Sequence, residues 1–190
     1  SMGAKIIIDD ACISVAPFPH LSCNSSSDSN PACSNKDCSQ EEGSSTNDAD
    51  TQKISNSNLT IDVSQCPDLV PALATAAAFA NGRSQIVNAA RLRLKESDRL
   101  SATTQQLQAL GADIVEFRDG LVVNGLGAGD NMKLAGGIVD GCGDHRIVMA
   151  AAIASTRTKV PVTISGMEAV NKSYPDFWVD FKRLGGVLYE

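Results

Sequence analysis

One structural unit is written twice in this chain, with its charged residues at matching places, and that repetition limits the fold more than any single residue does. The first copy runs Cys66-Pro67-Asp68, then the small-residue stretch Leu69 to Ala80, then Ile86-Val87. It continues through Arg93-Leu94-Lys95-Glu96-Ser97-Asp98-Arg99, an amphipathic stretch and Gly111-Ala112. The second runs Cys142-Gly143-Asp144-His145-Arg146, then Ile147 to Ala154, Val160 to Ile164, Asn171-Lys172-Ser173-Tyr174-Pro175, another amphipathic stretch and Gly185-Gly186. Asp68 and Asp144 stand 76 positions apart and Lys95 and Lys172 stand 77 apart, so the register holds across the unit.

The apolar pattern changes period in the order strand, helix, strand, helix, strand within each copy. Leu69 to Ala80 is apolar all round, as in a helix buried on every side, and Asn81-Gly82 stops it. Ser97 is the expected N-cap of the next helix, whose Leu100, Thr103, Thr104, Leu107 and Leu110 line one face. In the second copy Ser173 takes the cap position, and Phe177, Trp178, Phe181 and Leu184 form the buried face. A third, incomplete copy opens the chain, because Gly3 to Val15 resembles Gly111 to Val123, a helix end followed by a hairpin. The expected fold class is therefore α/β (α+β): repeated βαβαββ units at about 59–125 and 134–190, with a unit tail at 3–15. Buried helices lie against mixed sheets in an incomplete domain. Ser1-Met2 reads as a cloning remnant, and the whole as a C-terminal piece of a longer protein.

Residues 16–58 are of different material, with eleven serines and six acids against two bases. Such a segment buries too little apolar surface to build a core, and it reads as a surface loop insertion between strands. His20, Cys23, Cys33 and Cys38 fall in it; their spacing lacks paired zinc knuckles, so free thiols are expected and no metal. Cys66 and Cys142 precede the helix-opening aspartates by two residues, and packing explains them better than nucleophilic chemistry. The net charge of −6 argues against a nucleic-acid or anionic-membrane surface. No run reaches the ~18 apolar residues of a membrane span and no signal peptide is recognisable, so a cytoplasmic location is expected.

In an acidic chain, local basic clusters carry information. Arg99, His145 and Arg146 fall in first helical turns, and Lys95 and Lys172 just before the expected caps. A helix N-terminus already carries partial positive charge, so cations there are disfavoured unless an anion joins them. Free N–H groups and converging cations suit a phosphate or carboxylate ligand. Among the interleaved acids, Asp98 and Asp144 suit the helix dipole and can fix neighbouring cations. Asp68 and Glu96 are the catalytic candidates: a carboxylate among cations serves as a base, and one shielded from them keeps its proton as an acid.

Four of these stretches, Leu94 to Arg99, Gly143 to Arg146, Pro67 to Leu73 and Asn171 to Phe177, resemble the 5-enolpyruvylshikimate-3-phosphate (EPSP) synthase family. The resemblance covers Gly3 to Val15 and Leu59 to Glu190. It implies a two-domain protein, each domain of three such units, with the substrates between the domains. It also implies transfer of the enolpyruvyl group of phosphoenolpyruvate to the 5-hydroxyl of shikimate 3-phosphate, with release of phosphate and no cofactor. By the same resemblance Asp68, Glu96 and His145 are catalytic: Asp68 takes the hydroxyl proton, Glu96 protonates the methylene carbon, and His145 bonds near the reacting centre. Arg99 and Arg146 hold the carboxylate, Lys172 the phosphate, and Lys95 with Asp68 the shikimate moiety.

The family's other half, with its lysine, Ser-Ala-Gln loop and arginine, has no counterpart in this sequence, and the serine-rich insertion stands where the family has a short turn. The expected partners are thus the two substrates and the missing N-terminal domain of the same protein, with the full-length enzyme a monomer. The alternatives are the related transferase acting on UDP-N-acetylglucosamine and a non-catalytic anion-binding module.

Overall fold

A computed structural model of the chain describes residues 12–16 as backbone, and 58–127 and 132–189 in full. The order of elements is β1 (Cys12–Ala16), β2 (Asn58–Asp62), α1 (Val70–Ala78), β3 (Arg83–Val87), α2 (Arg99–Ala109), β4 (Asp113–Phe117) and β5 (Gly120–Asn124). Then come β6 (Gly137–Asp140), α3 (His145–Ser155), β7 (Val162–Ser165), α4 (Phe177–Arg183) and β8 (Val187–Tyr189). Short 3-10 turns at Pro67–Leu69, Ala90–Leu94 and Met167–Lys172 lead into α1, α2 and α4. The strand-helix alternation expected of both copies is thus present. Zinc ligation through His20, Cys23, Cys33 and Cys38, and the body of the insertion at 17–57, lie outside the described residues.

Each copy builds a four-stranded mixed sheet. In the first the order is β2-β3-β5-β4, with β2 and β3 parallel and β5 antiparallel to both its neighbours. In the second the order is β6-β7-β1-β8, with β6 and β7 parallel and β1 antiparallel to both its neighbours. β1 therefore holds in the second sheet the place that β5 holds in the first, which is the structural counterpart of the likeness between Gly3–Val15 and Gly111–Val123.

Helices α1, α2 and α3 pack against one another, and a continuous core joins both sheets to them through Ile86, Leu100, Leu121, Val139 and Ile164. Gly125 lets β5 run close under the end of α1, where a Cβ would lie 2.1 Å from the Ala80 carbonyl oxygen. The N–H groups of Leu126 and Gly127 then satisfy the carbonyls of Ala78 and Ala80, which the ending helix leaves free.

Four local expectations are corrected. Asp98, not Ser97, caps α2: its carboxylate accepts from the Ser101 N–H at 3.1 Å, and an anion complements the helix end better than a hydroxyl. Ser173 caps no helix. Pro175 keeps Tyr174 out of helical conformation, and α4 starts only at Phe177, after Asp176. Helix α1 is not buried on every side, because Ala72 and Ala76 are exposed and Leu69, just before it, is half-exposed. Leu184 is 80% exposed, whereas Leu110, at the equivalent place in the first copy, is fully buried. Residues 134–136 pack over the end of α2, where Gly136 N–H bonds the Leu110 carbonyl, and no described residue does the same beyond α4.

The last contrast gives a test. Leu110→Ala is expected to destabilise the chain by about 2–5 kcal/mol, and Leu184→Ala by about 0.5 kcal/mol or less, measured by urea denaturation. Equal losses would contradict the placement of these two helix ends.

Candidate functional site

The residues singled out by the charge pattern meet at the facing N-termini of α2 and α3. Arg99 is the first residue of α2 and only 1% exposed. Its guanidinium is held from three sides: Nε donates to Asp144 Oδ2 at 2.6 Å, Nη1 to Asp68 Oδ1 at 2.7 Å, and Nη2 to Glu96 Oε2 at 2.7 Å. Asp144, fully buried, is also the N-cap of α3, its Oδ1 accepting from the Arg146 N–H at 2.9 Å. One carboxylate thus caps one helix and neutralises the first side chain of the other. Ser97, freed from capping, reaches the same carboxylate at 3.5 Å.

The remaining cations gather on the two outer acids. Lys95 Nζ lies 3.3 Å from Asp68 Oδ1, Arg146 Nη2 lies 3.5 Å from Asp68 Oδ2, and Arg146 Nη1 donates to the Asp68 carbonyl at 3.2 Å. Lys172 Nζ donates to Glu96 Oε1 at 2.7 Å, joining the second copy to the first. Asp68 sits in the 3-10 turn before α1, and Lys172 closes the 3-10 turn Met167–Lys172. Lys172 is therefore at a helical C-terminal end, where a cation is favoured, and not at the helix start expected from the sequence. His145 is buried on the first turn of α3. Its Nδ1 has no hydrogen-bond partner among the described residues, and Asp144 Oδ1 is 3.9 Å away. All seven predicted site residues thus lie in one place.

The cluster holds Lys95, Arg99, Arg146 and Lys172 against Asp68, Glu96 and Asp144, an excess of one positive charge with His145 neutral. The hydrogen bond from Lys172, with the residue's own N–H and the Arg99 charge, pulls the Glu96 carboxyl down to about 2. Partial burial works against ionisation of Asp68, but the Lys95 hydrogen bond and the charges of Arg146, Lys95 and Arg99 hold its pKa below the ordinary value. Glu96 is therefore held ionised by its cationic neighbours, and the proton-donating role that the resemblance implies for it requires its pKa to rise. Burial lowers the pKa of His145, with Arg146 and Arg99 adding to it against the pull of Asp144, so the imidazole is neutral at pH 7. Burial raises the Cys142 thiol, and Asp140 and Asp144 raise it further, in keeping with a packing role.

The model of the EPSP synthase (3-phosphoshikimate 1-carboxyvinyltransferase) family matches residues 35–181. The chain belongs to this family. It is 51% identical over 141 residues to the 3-phosphoshikimate 1-carboxyvinyltransferase of Clostridium novyi, covering 74% of this chain and 31% of that protein. It is 52% identical over 130 residues to that of Clostridium perfringens, covering 68% and 30%. Among solved structures, EPSP synthase from Acinetobacter baumannii superposes with a TM-score of 0.58 and 37% identity over 63% of this chain and 28% of that one. The enolpyruvyl transferase NikO from Streptomyces tendae shares the fold at a TM-score of 0.51 and 22% identity, covering 64% and 26%. The chain spans about a third of the length of the curated relatives it matches.

The charge pattern missed Arg93, which ties the segment before α2 to the β4–β5 hairpin. Its clue was an arginine five positions before Asp98, but the partners on β4 and its turn are remote in sequence.

The depressed carboxyls make a prediction about acid. Glu96 and Asp68 titrate lower in the folded chain than in the unfolded one, so their stabilisation is complete above pH about 5 and is lost as the pH falls towards 2. Glu96→Gln is expected to flatten the fall of unfolding free energy across that window. An unchanged slope would show that Glu96 is not held by these cations.

Proposed function

We propose that the chain forms part of the C-terminal domain of an enzyme that transfers the enolpyruvyl group of phosphoenolpyruvate to the 5-hydroxyl of shikimate 3-phosphate, releasing phosphate. The observation that carries this reading is the unequal burial of the acids around Arg99. Asp144 is fully buried, whereas the side chains of Asp68 and Glu96 are 40% and 35% exposed. An incoming carboxylate can replace the two accessible acids on the Nη edge of Arg99 while Asp144 keeps Nε. Arg146, now on Asp68, completes the carboxylate clamp. Lys172 takes the phosphate, and Lys95 with Asp68 takes the shikimate hydroxyls.

This exchange also reconciles the ionised Glu96 with a proton-donating role. Lys172 is the chief cause of its low pKa, and a phosphate dianion on Lys172 both removes that partner and adds negative charge nearby. The Glu96 pKa then rises, and the residue can carry the proton that the methylene carbon receives. Asp68 accepts the proton of the attacking hydroxyl, and neutral His145 supplies a hydrogen bond beside the reacting centre. The tetrahedral adduct is strongly anionic, and cations already fixed in place stabilise it without reorganising.

Helices α1 and α3 support the reading of a partial domain, with units at 3–15, 59–125 and 134–190. At the 76-residue offset, exposed Ala72 and Ala76 of α1 correspond to buried Val148 and Ala152 of α3. Buried Ala77 corresponds to exposed Ile153. The two helices thus meet by unlike faces and each leaves the other face open, bordering an apolar groove of about 290 Å³. A head-to-tail contact of this kind closes only when a further copy is added. A third unit, together with the other domain of the same protein, is the partner that fits. The relatives reported above are named for the shikimate reaction, and no feature of the site favours a UDP-sugar acceptor. No helix among the described residues is long and apolar enough to cross a membrane, and the enzyme is read as a cytoplasmic monomer.

The test is made in the intact enzyme carrying this segment, by phosphate release, with this chain alone as an inactive blank. Arg146→Lys keeps the charge but loses the planar fork, and is expected to raise KM for phosphoenolpyruvate about tenfold with less effect on kcat. Glu96→Gln is expected to lower kcat about a hundredfold with KM nearly unchanged. The reverse pattern would overturn these roles.

A further inference from the structure

Most of the site rests on buried anchors, but the segment bearing Lys95 and Glu96 does not. Asp68 adjoins buried Val70, Arg99 is itself buried, Arg146 stands on α3, and Lys172 follows buried Val170. Between buried Leu92 and Arg99, by contrast, residues 93–98 include no buried side chain, and Leu94 is 89% exposed. Apolar packing therefore does not determine where Lys95 and Glu96 stand.

We propose that Arg93 is a positioning residue for Glu96 and Lys95, its guanidinium stapling both ends of the segment that carries them onto the β4–β5 hairpin. The proposal rests on the role given to Glu96 above. Nη2 donates to the Phe117 carbonyl at 2.8 Å and, with Nε, to the Arg118 carbonyl at 3.4 and 3.3 Å. Nη1 donates to the Glu116 carboxylate and, at 2.9 Å, to Asp98 Oδ2. Asp98 is in turn the N-cap of α2, its other oxygen taking the Ser101 N–H. One planar group thus fixes the start of the segment to the hairpin and its end to the helix, closing a small ring from which Lys95 and Glu96 project towards Asp68, Arg99 and Lys172.

A lysine cannot reproduce this, because its single ammonium has no fork to span two carbonyls and two carboxylates at once. Nor is global stability a sufficient account of the arrangement. Arg93, Asp98 and Glu116 are 28%, 42% and 26% exposed, and ion pairs this open to solvent contribute little to folding. What the contacts do is restrict six residues that would otherwise sample many conformations. Displacing a reacting group by about 1 Å is enough to slow a reaction by up to about a hundredfold.

Two measurements test the proposal. In the intact enzyme, Arg93→Ala and Arg93→Lys are each expected to lower kcat about tenfold with KM for phosphoenolpyruvate changed less than about threefold. In a Glu96→Gln background Arg93→Ala is expected to cost less than about twofold in kcat, since Glu96, the positioned group that moves the proton, is already replaced and Lys95 acts in binding the shikimate hydroxyls. A full tenfold loss in that background, or no loss from Arg93→Ala alone, overturns the proposal. In this chain, carboxyl NMR titration is expected to show Glu96 moving up from about 2 towards the ordinary carboxylate range in Arg93→Ala, with the melting temperature nearly unchanged. An unmoved Glu96 in a folded variant overturns the proposal as well. If Glu96→Gln by itself leaves kcat intact, the catalytic role of Glu96 fails instead, and the titration alone decides whether Arg93 positions it.

Discussion

Arg99 is the largest fully buried side chain among the described residues, and a guanidinium in that position must be neutralised where it lies. Asp144 does this from an equally buried position at 2.6 Å, and it can do so only because the first turns of α2 and α3 face each other. The pair therefore links the two repeats at the point where their helices begin. Removing one partner of such a pair leaves a desolvated charge, which costs far more than a surface bridge contributes. Asp68, Glu96, Lys95, Arg146 and Lys172 gather around this link, each of the five tied to Arg99 directly or through one intermediate acid.

The arrangement separates a fixed charge from exchangeable ones. Asp144 serves as counter-ion and helix cap at once and has no access to solvent. Asp68 and Glu96 meet the same guanidinium from the open side, where they also quench Lys95, Arg146 and Lys172. The chain's own carboxylates thus occupy the cations, leaving a small positive excess. An anion with both a carboxylate and a phosphate answers that pattern better than a simple ion, because the fork of Arg99 and the point charge of Lys172 call for different groups. Enclosure by the remainder of a longer protein would strengthen each of these interactions by excluding water.

The repeat, the order of strands and helices, and the buried face Leu100, Thr103, Thr104, Leu107 and Leu110 were legible in the sequence because they depend on local period. Part of the charged cluster was legible because Arg99, His145 and Arg146 stand at helix starts and break that period. The different fates of the three acids were not legible: burial of Asp144 and exposure of Asp68 and Glu96 depend on which helix ends converge, and nothing in the spacing distinguishes them. Nor did the spacing show that Lys172, from the second copy, reaches Glu96 directly. Leu184 and the open face of α1 were misread for a related reason, since apolar residues identify a face but not the element that covers it. Arg93 escaped notice because two of its partners are backbone carbonyls, which no side-chain pattern records.

The central claim is that the Arg99–Asp144 charge pair holds the repeats together while the other acids on Arg99 are exchangeable. Asp144→Asn tests it directly, because asparagine caps a helix about as well as aspartate, and only the charge is removed from Arg99. Urea denaturation at neutral pH is predicted to show a loss of about 3–5 kcal/mol for Asp144→Asn, against about 1 kcal/mol or less for Asp68→Asn. Equal losses for the two variants, or a smaller loss for Asp144→Asn, would contradict the account.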